Sequence, residues 1–161
     1  MITLVRVDNR LIHGQVVEAW LPHLKVQRVV VADDEAASSP LIRAAMALAV
    51  QSAIEVQIQS LAQVDFAALS KDGVRTLVLL RDVVAVPFAH AHGLALEQLN
   101  LGNVHFGTGR RQVSPSVFLA EAELQALKGL ADKGVRVEAR AVPAEKAVEL
   151  SELAERWAKG G

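Results

Sequence analysis

Short β-rich runs alternate with helix-patterned segments along the chain, and that alternation leaves few architectures open. Ile2–Val7, Arg28–Ala32, Ile54–Ile58, Arg75–Leu80, Asn103–Phe106, Ser116–Leu119 and Arg136–Ala141 read as strands. The runs Arg28–Ala32 and Arg75–Leu80 are the clearest, being continuous and rich in Val and Leu. Unbroken apolar runs of this kind suit strands buried on both faces, which is how parallel sheets are covered. The chain therefore reads as one α/β domain over residues 1–161, with a mostly parallel central sheet and helices on both faces.

Helices should fill the gaps. Val16, Val17, Ala19, Trp20 and Leu21 open the first. Ser39-Pro40 supplies a cap and a first helical residue for Leu41–Val50. Ser60 is expected to cap Leu61–Leu69, and Asp82 a helix through Val83, Val84 and Val86, with Pro87 tolerable only near its first turn. Glu121–Lys133 is amphipathic through Leu124, Leu127 and Leu130 and stops at Gly134. Val148, Leu150, Leu153 and Trp157 give a last amphipathic helix.

The chemistry concentrates in Arg6-Val7-Asp8-Asn9-Arg10-Leu11-Ile12-His13-Gly14-Gln15, between the first strand and the first helix. In an α/β domain that turn lies beyond the carboxyl end of a strand, where ligands bind. The free N–H groups of a helix starting beside His13 favour an anion there. A neutral imidazole is a nucleophile near neutral pH, and its phosphoramidate is readily passed on. Arg10 can fork two hydrogen bonds onto phosphoryl oxygens. Asp8 can orient His13 or Arg10, and Gly14 lets a phosphoryl group approach the backbone. The competing reading is a surface histidine beside a structural Asp–Arg pair, because structural ion pairs also occupy loops.

The segment from Val5 to Val16 resembles the active-site segment of the IIB component of the mannose/fructose/sorbose-type bacterial phosphotransferase system. The resemblance implies a phosphotransferase subunit in which His13 is phosphorylated on Nδ1. It would receive the phosphoryl group from a IIA domain and pass it to a sugar carried by membrane IIC and IID partners. Arg10 takes the place of the family's functional arginine and Asp8 that of its loop acid, with Arg10, Gly14 and Gln15 around the phosphate. Many members carry a second acid where this chain has Asn9, so Asn9 is assigned no catalytic part. Leu99-Asn-Leu-Gly-Asn-Val-His-Phe106 and the following Gly107–Arg111 loop resemble a second family segment, in which Lys is common at the place of Arg110. Arg110 and Arg111 are expected to meet acidic groups on a partner. Gly134-Val135 and Val142-Pro143 also fit, so the likeness spans nearly the whole chain. A phosphoacceptor that signals to a protein partner without sugar transport is the alternative from another class.

Other classes are disfavoured. A formal net charge of -1 argues against a nucleic-acid surface. The sequence has no cysteine, hence no thiol catalysis or zinc–thiolate site. No apolar run approaches the roughly 20 residues of a membrane span, and the start lacks a signal-peptide pattern. A cytoplasmic protein is expected, peripheral at the inner membrane only through IIC and IID, with no cofactor and no metal; a homodimer is compatible with all of this. Asp33-Asp34-Glu35 reads as a solvated loop rather than a metal site, and Gly107-Thr-Gly109 lacks the Walker A ending. His23 reads as a surface residue at a helix end, while His90 and His92 diverge on a helix. His105 is the remaining histidine best placed for a site role, because its strand should end near His13, with a structural, hydrogen-bonded histidine as the commoner alternative; Trp20 and Trp157 read as core or interface anchors on helices.

Overall fold

The computed structural model describes residues 1–160, so residue 161 of the expected domain lies outside the described residues. A seven-stranded sheet has the order β3-β2-β4-β1-β5-β8-β9. Its strands are β1 (Ile2–Asp8), β2 (Arg28–Ala32), β3 (Glu55–Gln59), β4 (Thr76–Leu80), β5 (Gln98–Asn103), β8 (Arg136–Ala139) and β9 (Val148–Glu149). All pairings are parallel except β8 with β9. A separate antiparallel hairpin, β6 (Arg111–Ser114) and β7 (Val117–Leu119), joins the end of β5 through a bridge from Val104 to Val117.

Residue parity divides the core. Val5, Val7, Val78, Leu80, Leu99, Leu101, Val137 and Ala139 face one side, under α4 (Phe66–Lys71), α5 (Ala85–Ala91), α6 (Glu121–Asp132) and α7 (Leu150–Ala158). Leu4, Leu77, Leu79, Val29 and Val31 face the other. There a π-helical turn, Val16–Trp20, runs into α1 (Leu21–Leu24), followed by α2 (Asp34–Ser38) and α3 (Pro40–Ala49). Side chains two apart along a strand share a face, so this split is what two helical layers around a parallel sheet require. No helix of the described residues is long and apolar enough to cross a membrane.

Several expected elements shift. The fifth strand runs Gln98–Asn103, starting five residues and ending three residues before the expected Asn103–Phe106, and Phe106 is 75% exposed in the loop beyond it. Strands β6 and β9 were not foreseen. Asp65, not Ser60, caps α4, its side chain accepting from the Ala68 N–H at 3.0 Å. The helix expected from Asp82 begins at Ala85, after a turn closed by Ala85 N–H on the Asp82 carbonyl, which leaves Pro87 in its first turn. The acids after β2 are engaged: Asp33 caps α2 and binds Arg81, and Asp34 accepts from the Leu61 N–H.

At the opposite end of the sheet Asp72 ties down the start of β1. It accepts from the Val74 N–H at 3.0 Å, from the terminal ammonium at 3.2 Å and lies 2.8 Å from Arg28 Nη2. The Val74 hydrogen bond, set against desolvation and helped by Arg28 and the terminal ammonium, lowers its carboxyl from 3.8 to about 2. A folded value below the unfolded one means stabilisation that is complete above about pH 4 and lost as pH falls through about 2. Asp72→Asn should therefore lower the melting temperature most at neutral pH, with the difference closing toward pH 2. A gap in melting temperature that does not vary with pH would show that the charge of Asp72 is not the cause.

Candidate functional site

Connections leave β1 and β5 in opposite directions across the sheet, β1 toward β2 and β5 toward β8. The crevice beyond their carboxyl ends is thus the switch point at which open α/β sheets bind ligands. Asp8 ends β1 there and Asn103 ends β5. The turn after Asp8 is pinned by its apolar members: Leu11 is fully buried and Ile12 is 7% exposed. Leu11 adopts φ 57°, a left-handed conformation that an L-residue holds only when its surroundings over-determine it. Here the core seat of the side chain and the Leu11 N–H donating to the Asp8 carbonyl at 2.9 Å supply that constraint. Arg10 is left exposed and His13 partly exposed.

Asp8 has no exposed surface and collects donors from three directions. Its Oδ2 accepts from Arg6 Nη2 at 3.0 Å, Arg6 Nε at 3.2 Å, Asn103 Nδ2 at 2.9 Å and His13 Nε2 at 2.8 Å. Its Oδ1 accepts from the Arg10 N–H at 2.9 Å. Burial pushes this carboxyl up, but the hydrogen bonds from His13 and Asn103, the Arg6 charge and the Arg10 N–H together hold it below the usual range. An ionised carboxylate only accepts, so Nε2 of His13 carries the proton and the lone pair of the neutral ring lies on Nδ1. That assigns the tautomer from the network. The His13 side chain is 15% exposed, and its carbonyl accepts from Val17 N–H as the helix starts.

The other expected site residues are placed as follows. The Arg10 side chain is exposed at the mouth of the crevice. A Cβ on Gly14 would meet nothing within 4 Å, so the space over this first helical residue is open. Gln15 turns its Oε1 inward, accepting from Arg6 Nη2 at 2.9 Å and Asn103 Nδ2 at 3.0 Å. Asn9 bridges the turn to the β5 loop. With its amide oriented to suit both neighbours, it donates to the Asn103 carbonyl and accepts from the His105 N–H, each at 2.9 Å. His105 serves through its backbone and its side chain is exposed; Asn103 fills the place beside Asp8 that the misplaced strand gave to His105. Arg110 donates to both Glu123 oxygens, at 2.9 and 3.0 Å, and to the His105 carbonyl at 3.0 Å, bracing this loop on α6. Arg111 lies over the Trp157 ring at 4.1 Å.

Arg6, Asn100, Gly102 and Glu138 escaped the sequence reading. The signal was there: Val5-Arg-Val7, Leu99-Asn-Leu101 and Val137-Glu-Ala139 each set one polar residue inside a strand otherwise buried on both faces. A buried charge requires a partner, and three such strands side by side supply one another.

The model of the phosphotransferase-system sorbose subfamily IIB component matches residues 2–159 of the chain. The N-acetylgalactosamine-specific phosphotransferase enzyme IIB component 2 of Escherichia coli (strain K12) is 30% identical over 153 residues, 94% of this chain and 98% of that protein. The mannose-specific EIIAB component of the same strain is 26% identical over 155 residues; the match covers 95% of this chain and 48% of the longer relative. Among solved structures, the IIBSor domain of the sorbose permease from Klebsiella pneumoniae superposes with a TM-score of 0.87 at 26% identity, covering 96% of this chain and 97% of that one.

Proposed function

The chain belongs to the sorbose subfamily of phosphotransferase-system IIB components, and from that premise we propose that it is a phosphocarrier whose acceptor atom is His13 Nδ1. The observation that carries this is the Asp8–His13 hydrogen bond of 2.8 Å on Nε2, which leaves the other ring nitrogen as the nucleophile at the mouth of the crevice. The Nδ1 lone pair attacks the phosphorus of a phosphohistidine on a IIA domain. The donor's N–P bond breaks, and its electron pair returns to the donor ring. The positive charge that the His13 ring gains is met through Nε2–H by the Asp8 carboxylate. In the second transfer a sugar hydroxyl attacks the same phosphorus, the N–P bond on His13 breaks with its electron pair returning to Nδ1, and the hydroxyl proton passes to solvent. Arg10 and the free N–H groups of the helix start offset charge on the phosphoryl oxygens in both steps. The relative that carries A and B components in one chain supports a IIA domain as donor. The membrane IIC and IID components with their sugar are the acceptor.

Both partners must reach one crevice, so their docking surfaces overlap and binding is mutually exclusive. The segment beyond β5 offers the exposed Phe106, edge-on against Phe118 at 5.9 Å, and Arg111, whose guanidinium packs on Trp157. Arg110 belongs to the same segment, with its guanidinium paired to Glu123.

The test is incubation with phosphoenolpyruvate, the general phosphotransferase proteins and a IIA domain, followed by mapping of the label. One acid-labile phosphoryl group on His13 Nδ1 is expected, and label elsewhere or none rejects the reading. Arg10→Lys keeps the charge but loses the planar fork. Its exposed side chain fills no core, so folding should be unaffected. Transfer should slow roughly tenfold or more if one or two charge-assisted bonds of about 1.5–3 kcal/mol are weakened. Unchanged rates in both directions would make Arg10 a bystander.

A further inference from the structure

Arg6 is an arginine with no exposed surface at the centre of β1. It lies opposite Asn100 of β5, which lies opposite Glu138 of β8, so three adjacent strands set polar side chains in one row on one face. Arg6 Nη1 donates to Asn100 Oδ1 at 2.7 Å and to the Arg140 carbonyl at 3.1 Å. Asn100 Nδ2 donates to Glu138 Oε1 at 3.0 Å and to the same Arg140 carbonyl at 3.1 Å. The buried Trp20 ring covers the row, with its centroid 5.0 Å from the Arg6 guanidinium carbon. Beneath, Gly102 makes room: a Cβ there would stand 2.0 Å from Arg6 Cζ and 2.2 Å from Nη2. The backbone of Gly102 is not left-handed, so space rather than conformation calls for glycine.

We propose that Arg6 is a positioning residue for phosphoryl transfer: held by this row and by the missing side chain of Gly102, it fixes Asp8 Oδ2 under His13 Nε2 and neutralises that carboxylate, so that the ring offers an unprotonated Nδ1. Arg6 and His13 bond the same oxygen. A proton added to the ring sets a second cation against a carboxylate already matched by a first. Remove Arg6 and the unmatched, buried carboxylate draws a proton onto the ring, where an Nδ1–H is no nucleophile. The charged groups facing Arg6 are Asp8 on its own strand, Arg10 on the following turn and Glu138 on β8, with Arg140 just beyond; those facing Asp8 are Arg6 and His13. Among the described residues only Arg6 offers Asp8 a permanent cation at bonding distance.

This role gives the phosphocarrier reading its buried support, yet its test does not depend on that reading. The His13 ring is titrated by nitrogen-15 magnetic resonance in unphosphorylated wild type, Arg6→Gln, Arg6→Lys and Gly102→Ala. Transfer from a IIA domain is followed against pH in the same proteins. Arg6→Gln removes the charge and keeps a donor. Its ring midpoint should move up and its transfer at neutral pH fall roughly tenfold, recovering as pH rises. Arg6→Lys keeps the charge, so its midpoint should stay near wild type while the rate falls at every pH. Gly102→Ala should displace Arg6 and move the midpoint as Arg6→Gln does, yet add little in the Arg6→Gln background. A folded Arg6→Gln with an unmoved midpoint and pH profile overturns the proposal. If that variant does not fold, an unmoved midpoint in Gly102→Ala does so instead. A wild-type protein that accepts no phosphoryl group rejects the phosphocarrier reading, and the ring titrations still decide the role of Arg6.

Discussion

His13→Ala should accept no phosphoryl group while remaining folded. The loss should be complete rather than graded, because the substitution removes the atom that forms the bond to phosphorus. Asp8 behind the ring does not replace it. Asp8, the nearest titratable group, is fully buried with its oxygens committed to Arg6, Asn103 and the Arg10 N–H. Of the other histidines, His92 stacks on Phe88 at 4.0 Å and bonds the Phe88 carbonyl on α5, remote from the turn in the chain. His105 stands on the neighbouring loop, and label on it in the variant would identify it as the acceptor. Folding should survive because the ring is a partly exposed cap on a network that persists beneath it. One hydrogen bond to a charged group is lost, worth about 1.5–3 kcal/mol at most, while Asp8 keeps its other donors. For a chain of this size that is a melting shift of roughly 10 °C or less. Undiminished labelling of a folded His13→Ala protein would remove the acceptor assignment.

How the turn could be read from sequence, and its support could not, follows from where each kind of residue sits. His13, Arg10 and Asp8 are close in the chain, so their proximity needs no knowledge of the sheet. The row of Arg6, Asn100 and Glu138 is assembled across strands separated by most of the chain, and only the order and register of the sheet bring it together. The strand that carries Asn100 departs from the expected Asn103–Phe106 for a physical reason. Gln98–Asn103 contains Asn100, Gly102 and Asn103, residues that disfavour strands, whereas Val104-His-Phe106 beyond it has the stiff, bulky composition that favours them. Burial between β1 and β8 overrides that preference. The clear strands β2 and β4 carry no such conflict, and they fall within a residue of the expected bounds. The two-residue β9 is set by pairing with β8 alone, a contact with no local signature.

Asp8→Asn isolates what the carboxylate does, since the amide has nearly the same shape. In one orientation its oxygen faces Arg6, Asn103 and His13, and its NH2 opposes the Arg10 N–H that Oδ1 now accepts. In the other its NH2 opposes the Arg6 and Asn103 donors and donates to Nε2 of the ring, which places the ring proton on Nδ1. Either way the buried Arg6 guanidinium loses its counter-ion. Breaking a buried pair by removing one partner costs about 3–5 kcal/mol. Because the Asp8 carboxyl is held below its usual range when folded, this loss should be seen above the ordinary carboxylate range and should shrink as pH falls through the lowered value. The effect on transfer is separate and larger. Nδ1 attacks only when unprotonated, and the charge it gains needs a carboxylate behind Nε2. A buried aspartate that fixes a catalytic histidine in this way is worth roughly 10²–10⁴ in rate. Asp8→Asn should therefore transfer about 10²- to 10⁴-fold more slowly at temperatures where it is fully folded. Nitrogen-15 spectra of the ring should show the proton moved toward Nδ1. A folded Asp8→Asn protein with wild-type transfer and an unchanged tautomer would mean that the helix start alone orients His13, and that the 2.8 Å contact is a bystander.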